Sequence, residues 1–432
     1  MSARGATVVS GVIGFILCVA PLPARAANLV DQLDNLFGQD GITLDNVRVN
    51  NVLHTAHFSS AAFQQLGILT SKLSAQASDF PAVSTVPGFA YQYDEKLQVF
   101  TPVQGSFGSI FVERPETLGK GKFEFGLSYA YVDFKELNGT DLDKLNFTLH
   151  HNDCCDAAHP PPSPDVPIFE EDTVDVNFQK FKLTSNVITL SGTYGVTDRF
   201  DLNLLLPIVY TDMDVRAQAT INDISGTDVH FFNVATHLTQ ETRSVSDNHL
   251  GVGDLQLRSK YRLEAIAGFG TAVGLNLRFP SGSVDNFQGF GDFTLEPYFV
   301  TARDFGPVNL HAQGGFQIDP QTLDRTRVRY GGGLTWQVHS RVALITDVIG
   351  SSNITSEEDE IQVPQFSQTN QQAPTSFTTT TTQLNSTIVD VVPGIKVNVA
   401  GSVFAYFSAF VPLNDSGLRT DFTPTGGIEA SF

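Results

Sequence analysis

Residues Lys122 to Phe134 read KFEFGLSYAYVDF, and apolar and polar side chains alternate along the stretch. Phe123, Phe125, Leu127, Tyr129 and Tyr131 share one parity; Lys122, Glu124, Gly126 and Ser128 share the other. Successive side chains of a strand point to opposite faces. A strand with this pattern can therefore meet lipid on one side and a polar interior on the other.

The same period recurs along the chain. It is found over Ile188–Val196, Phe200–Ile208, Leu255–Arg262, Val273–Phe279, Phe293–Phe299, Val308–Phe316 and Val328–Val338. It returns over Val342–Val348, less cleanly because Ile345 and Ile349 sit opposite, then over Val389–Val397, Val403–Val411 and Phe422–Phe432. With the opening stretch these make twelve segments. An even number returns both chain ends to one side of a membrane, as in single-chain bacterial barrels. The connections support the same reading. Thr197–Arg199, Glu264–Gly270, Arg303–Gly306, His339–Ser340 and Ala400–Gly401 are short. Lys135–Gln179, Ala217–His249, Pro280–Gly291, Ile318–Asp324, Ser351–Asn385 and Leu413–Asp421 are longer and alternate with them. Short periplasmic turns alternating with longer outer loops are the mark of an outer-membrane barrel, and a soluble β-sandwich has no reason to show them. The expected fold is all-β: a transmembrane antiparallel β-barrel of about twelve strands over 122–432.

Composition agrees. Hydrophobic residues make up 41% of the chain, and 34 residues are Phe. After the amino-terminal segment no run of about 20 apolar residues could span as a helix. Backbone polar groups in lipid must be satisfied internally, which leaves a closed barrel. Arg4, the apolar run Ala6–Ala20 and the triplet Ala24-Arg25-Ala26 read as a secretory signal, residues 1–26, cleaved after Ala26. Leu17 before Cys18 argues against a lipoprotein site. The formal net charge of -20 argues against nucleic acid as a partner. The partners expected are instead outer-membrane lipid, lipopolysaccharide and the barrel assembly machinery. Phe432 shares its face with Ala430, Ile428 and Phe422, a terminal stripe of the kind that machinery reads.

Residues 27–121 form a separate amino-terminal segment. Leu29, Leu33 and Leu36 have helical spacing, and a second helix is expected to carry Ala62, Leu66, Leu69 and Leu73 after a cap at Ser59 or Ser60. Phe89–Phe100 reads as a small hairpin turning at Asp94-Glu95-Lys96. The segment either plugs the lumen or forms a periplasmic partner-binding arm. Short helices need an apolar surface to lie on, which favours the plug.

Candidate lumen residues follow from the register. Arg258, Lys260, Arg262, Arg278, Arg327, Arg329 and Lys396 project inward, with Glu124, Asp292, Glu296, Asp347 and Asp390 as counter-charges. Two readings remain open: a lumen filled by ion pairs, or a basic strip that guides anionic solutes. His150, His151, Asp153, Cys154, Cys155, Asp156 and His159 are ligand types for zinc or copper, but their spacing matches no compact site, so no metal is assigned. Glu357-Glu358-Asp359-Glu360 reads as a solvated loop, with a divalent-cation bridge to lipopolysaccharide as the sharper alternative. His339-Ser340 lies in a predicted turn and joins no Ser-His-Asp constellation. The chain is therefore expected not to be an enzyme, and it calls for no cofactor.

Three stretches resemble a known family: GSFGSIFVERPETLGKGKFEFGLSY (Gly105–Tyr129), YGVTDRFDLNLLLPIV (Tyr194–Val209) and GVGDLQLRSKYRL (Gly251–Leu263). Together they are similar to the proteobacterial outer-membrane family labelled for the meta-pathway of phenol degradation, itself distantly similar to outer-membrane fatty-acid channels. The resemblance runs from about Gly88 to Phe432. It implies an outer-membrane transporter for small hydrophobic or aromatic compounds, passing them by diffusion through the barrel. The asparagine-proline-alanine motif of the fatty-acid channels is absent. The competing reading is a structural or adhesin-like barrel without transport.

Overall fold

The computed structural model describes residues 28–36, 42, 44–45, 73, 76–79, 83–85, 107–150, 172–224, 230–354 and 387–432, and the backbone alone of 48–49, 52–53, 91–94, 99–102, 358–365 and 376–383. The barrel strands are β1 (Phe123–Leu137), β2 (Thr173–Thr197) and β3 (Phe200–Asn222). β4 has two parts, Gln240–Val252 and Leu255–Arg262, both antiparallel to β3. Next come β5 (Gly270–Phe279), β6 (Thr294–Phe305), β7 (Val308–Gln317) and β8 (Arg327–His339). The last are β9 (Val342–Asn353), β10 (Ile388–Ala400), β11 (Val403–Pro412) and β12 (Thr423–Ser431). Each pairs antiparallel with the next in sequence, and β12 pairs with β1 from Thr425 opposite Ala130 to Ser431 opposite Glu124. The Phe432 amide donates to the Phe123 carbonyl at 2.8 Å, and the Phe123 amide donates back at 3.1 Å. The result is a closed barrel of twelve strands without a free edge in the wall.

All twelve expected strands are present, and the connections alternate in the expected phase. The short turns are 198–199, 263–269, 306–307, 340–341 and 401–402. They share an end with both chain termini of the barrel, the periplasmic side. The outward face is apolar: Phe125, Leu127, Leu190, Leu204, Leu275, Phe299, Leu310, Leu344 and Phe407 are all exposed. Phe123, Tyr194, Tyr261, Trp336 and Phe432 form an aromatic rim near the periplasmic ends of their strands, as expected where the wall meets the interface. Phe123 and Tyr194 are in ring contact at 4.5 Å. This is an outer-membrane β-barrel: its apolar side faces out and its polar side faces in.

Three boundaries differ from the sequence reading. The stretch 217–249 is not one loop, because β3 continues to Asn222 and β4 begins at Gln240. β2 begins at Thr173, within the expected first connection 135–179. The physical reason is an inversion of faces. In the lower part of β3, Asp201 and Asn203 are buried while Leu204 is exposed. Beyond Tyr210 the buried face becomes Met213, Val215, Ala217, Ala219 and Ile221, and the outward face carries Asp212, Asp214, Arg216 and Gln218. Lys182 pairs with Asp212 at 2.6 Å, and Lys180 pairs with Asp214. These upper halves stand clear of lipid, so their polarity follows the water-soluble rule. Asp292 lies in the loop before β6, which starts at Thr294, and not on the strand. The outer connection 354–387 contains a strand pair, Glu358–Gln365 with Ser376–Gln383, described by backbone. The outer connection after β11 holds a short strand, Leu418–Thr420, paired with β1. The His/Cys cluster after His150, Glu357, the expected signal and the expected helix body at 59–72 lie outside the described residues. Within the expected hairpin, the backbone of Tyr91–Asp94 pairs with that of Val99–Pro102; the expected turn residues Glu95 and Lys96 lie outside the described residues.

The inversion sets a test. Leu275→Arg, at the middle of the lipid-facing wall of β5, should lower stability in lipid vesicles by about 2–4 kcal/mol. Lys182→Gln, on the water-exposed ribbon, should cost no more than about 1 kcal/mol. Denaturant unfolding of both variants in the same vesicles separates the two.

Candidate functional site

The inward register places the expected basic residues together. Arg258, Lys260, Arg278 and Lys396 are buried, and Arg262, Arg327 and Arg329 are half-buried. Their partners are mostly not the acids the sequence suggested. Asp292 pairs with Arg325 at 3.0 Å, in the outer loops. Glu124 accepts from the Ser431 hydroxyl at 2.8 Å. Glu296 lies 3.4 Å from the Asn276 amide nitrogen, Asp347 is taken by His311 and Ser109, and Asp390 is taken by Arg419. The counter-charges to the basic strip come chiefly from two described residues that precede the barrel, Asp79 and Glu113.

At the outer end, α1 (Leu29–Asn35) and the residue after it bury Leu29, Leu33 and Leu36 in one apolar cluster that also holds Phe181, Met213 and Val215 of the upper β2 and β3. The Leu29 amide donates to Asn286 Oδ1 at 3.1 Å. The inverted, apolar inner face described above is the surface this helix needs.

Below it, Asp79 meets three guanidinium groups: Arg329 at 3.1 Å, Arg327 at 3.3 Å and Arg278 at 3.4 Å. Arg278 is fixed further by Asp254 at 2.8 Å and by the Ser78 carbonyl at 2.8 Å. Burial works against the Asp79 carboxylate, but Arg329, Arg327 and Arg278 outweigh it and hold its pKa well below the usual range.

A second clamp lies nearer the periplasm. Glu113 accepts from Arg258, from Lys260 at 3.2 Å, and from the Thr85 hydroxyl and amide at 2.7 Å each. Lys260 also donates to the Arg114 carbonyl at 2.9 Å, and Arg258 to the Val83 carbonyl at 2.6 Å. Burial again opposes the charge on Glu113, and Lys260, Arg258 and Thr85 reverse that effect and lower its pKa.

The remaining anchors are polar or steric. The Ser109 hydroxyl donates to Asp347 Oδ2 at 2.7 Å, and His311 Nε2 lies 2.9 Å from Asp347 Oδ1. Serine and histidine therefore both bind the aspartate and not each other, so this trio lacks the nucleophile–base contact of a hydrolase. Lys396 pairs with Glu429 at 2.8 Å, and its ammonium lies 5.7 Å from the Phe404 ring, which stacks edge-on with Phe107. Glycines on the wall admit the segment. A Cβ on Gly331 would lie 3.1 Å from Val112, and one on Gly195 would lie 1.9 Å from the Gly119 carbonyl oxygen.

Between these clamps two cavities remain. The outer one, about 140 Å3, has an apolar wall of Val132, Phe134, Ile349, Phe410 and Leu418 and a charged floor of Asp79, Arg327 and Arg329. The middle one, about 80 Å3, is bounded by Asp79 and Arg329 above and by Glu113 and Arg258 below. Asp79, Glu113, Asp254 and Glu429 were absent from the sequence-derived set of lumen residues. Their signal was an imbalance: an inward strip rich in cations, with too few acids on the strands to neutralise it.

A closed barrel with an apolar exterior, a charged lumen and internal cavities defines the class of outer-membrane channel-type barrels. Residues 168–331 match the family model described as "Putative MetA-pathway of phenol degradation". That is the family the three quoted stretches resemble, and two of them lie inside the matched region. Among solved structures, an outer-membrane channel from Pseudomonas putida F1 is 13% identical, with 73% of this chain and 97% of that one covered and a TM-score of 0.42. A Pseudomonas aeruginosa FadL homologue is 9% identical, with 72% and 90% covered and a TM-score of 0.33. The monoaromatic hydrocarbon channel CymD is 8% identical, with 73% and 89% covered and a TM-score of 0.35. A search of curated protein sequences gives no match.

The two clamps predict a defined response to mutation and pH. Glu113→Gln leaves Arg258 and Lys260 buried without their anion and should cost about 3–5 kcal/mol in denaturant unfolding. Both clamp carboxylates are lowered in pKa by the fold, so their contribution is complete above the ordinary carboxylate range near about 4. It is lost as pH falls through the depressed values. Wild-type stability should therefore decline on acidification below about pH 4, and Glu113→Gln should show a shallower decline.

Proposed function

We propose that this protein is an outer-membrane channel for small hydrophobic or aromatic compounds, anionic ones among them, which pass by diffusion through the barrel. The observation that carries the proposal is the lumen itself. A strip of arginine and lysine runs down one interior, and two cavities lie along it between the outer and periplasmic ends. A barrel serving only as a scaffold has no need of an interior cation strip with unfilled space beside it. The family match supports the same reading. The solute path consists of Arg258, Lys260, Arg262, Arg278, Arg327, Arg329 and Lys396, with Glu124 and Glu296 as acidic neighbours; Asp292 belongs to the mouth.

The amino-terminal segment, residues 27–121, acts in this proposal as a plug that must shift for solutes to pass. Its contacts with the inward-facing Arg258, Arg278 and Asp347 support the plug over a periplasmic arm. The tall β2–β3 ribbon, with water-exposed charges on its outer face, favours a second role in meeting lipopolysaccharide or a partner, the adhesin-like alternative.

Liposome swelling with neutral, anionic and aromatic solutes tests transport. Wild type should pass small aromatic carboxylates faster than cations of equal size, and deletion of Asn28 to Pro87 should raise single-channel conductance. Absence of flux for every solute would leave the scaffold or adhesin reading.

Phe432, Ala430 and Ile428 are proposed as the signal read by the assembly machinery. Deleting Phe432 also removes the two closing hydrogen bonds to Phe123. The variant should reach the periplasm but fail to acquire the heat-modifiable gel mobility of an inserted barrel. Normal insertion would remove the assignment.

A further inference from the structure

The surroundings of Asp79 resemble a ligand site whose ligand is supplied by the protein's own chain. Three guanidinium groups from two strands converge on one carboxylate at 3.1–3.4 Å. Arginine presents a planar fork that suits carboxylates in particular. Arg278 and Arg327 also lie over the Phe290 ring, at 5.3 and 5.5 Å, which holds their planes in place. The arginines are set by strands, by Asp254 and by Phe290, so their arrangement does not depend on Asp79 alone.

Space adjoins the charge. Asp79 and Arg329 border both cavities, so the Asp79 carboxylate stands in the partition between them. The outer cavity joins an apolar wall, including Phe134, Phe410 and Leu418, to a floor containing Arg327 and Arg329. A molecule that satisfies both parts has one carboxylate and a compact apolar body. A bare inorganic anion leaves the apolar wall unfilled, and a neutral aromatic leaves the arginines without an anion.

We propose that Arg278, Arg327 and Arg329 form a binding site for small monocarboxylates with an apolar body, and that Asp79 is its built-in competitor. An incoming carboxylate takes the position of the Asp79 carboxylate, and its body lies in the outer cavity. Displacement of Asp79 frees residues 76–79 from the arginines and opens the partition between the cavities. No covalent step is involved: one carboxylate replaces another on the same three cations. This deepens the channel reading, on which it rests, by naming the solute class and the point at which the solute meets the plug.

The test is isothermal titration of the full-length protein in detergent with benzoate, benzamide and inorganic phosphate. Asp79→Asn removes the competing charge at nearly constant shape. The apparent dissociation constant is divided by the fraction of competent sites, so vacating the arginines should tighten benzoate binding by about tenfold. Benzamide, which brings no anion, should gain nothing; phosphate, which leaves the apolar wall unfilled, should bind more weakly than benzoate in both proteins; and Asp79→Glu, which keeps a competing acid, should stay near wild type. Arg329→Gln in the Asp79→Asn background should abolish the gain. Equal benzoate affinity in wild type and Asp79→Asn would overturn the proposal, and so would an equal gain for benzamide, or phosphate binding to Asp79→Asn as tightly as benzoate. If Asp79→Asn does not fold, the comparison is made between wild type and Arg329→Gln: loss of benzoate binding supports the site, and unchanged binding overturns it. Liposome flux is read separately. Flux without the affinity gain removes the competitor model and keeps the channel; the gain without flux keeps the site and removes the channel.

Discussion

Charge inside a closed wall must be neutralised by something, and the rest of this molecule is arranged around that constraint. Lipid forbids cations on the outer face of the strands, so Arg258, Lys260, Arg278 and Lys396 all face inward and are buried there. Buried cations without partners would be prohibitively unstable. Few acids on the strands lie in range, Asp254 and Glu429 being the clearest. Asp79 and Glu113 supply the remainder, and both belong to the chain that precedes the barrel. The described residues around Asp79 and Glu113 are therefore held by the electrostatics of the wall, and those of α1 by apolar packing; α1 is only seven residues long. An isolated helix of that length is not stable in water.

The same wall explains why the segment adopts different chemistry at different heights. Where the barrel crosses the membrane its interior is polar, and the segment answers with Glu113, Ser109 and Asp79. Above the membrane the faces of β2 and β3 exchange roles, and the interior becomes apolar with Phe181, Met213 and Val215. There the segment answers with Leu29, Leu33 and Leu36. Asp212 and Asp214 on the outward face mark the level at which lipid gives way to water.

Much of this was legible in the sequence, and the parts that were not have physical reasons. All twelve strands could be read, because in lipid the outward face has one requirement and period-two alternation is its direct trace. The upper halves of β2 and β3 escaped the reading because the alternation continues there with its phase reversed, and a search for outward apolar residues ends at Tyr210. The inward cations were legible from parity alone. Their partners were not, because Asp79 and Glu113 lie outside any periodic segment and parity assigns them no face. Asp292 shows the converse error: two residues before the start of a strand, its parity has no meaning, and it pairs with a loop arginine. The glycines were a signal of a different kind. Gly331 in β8 weakens a strand by ordinary propensity, and it makes sense only once Val112 is seen to approach it from inside.

Buried ion pairs contribute little net stability, because desolvation consumes most of the attraction, yet removing one partner is costly. That asymmetry bears on the proposed passage of solutes through a closed lumen. The Asp79 clamp is hard to break by pulling the carboxylate away, since three guanidinium groups would lose its charge at once. It is easy to exchange, since a second carboxylate restores every pairing that the first one gave up. The free energy of exchange then depends on what differs between the two acids. Asp79 brings the cost of holding a loop in place, whereas a free acid brings its apolar body to Phe134, Phe410 and Leu418 at the price of its own translational freedom. Burying apolar surface is worth about 25 cal/mol per Å2, so the size of that body, more than its charge, sets which acids can compete. Under the proposed exchange, a lumen lined this way would be sealed to ions in general and would yield to acids that carry the right hydrocarbon.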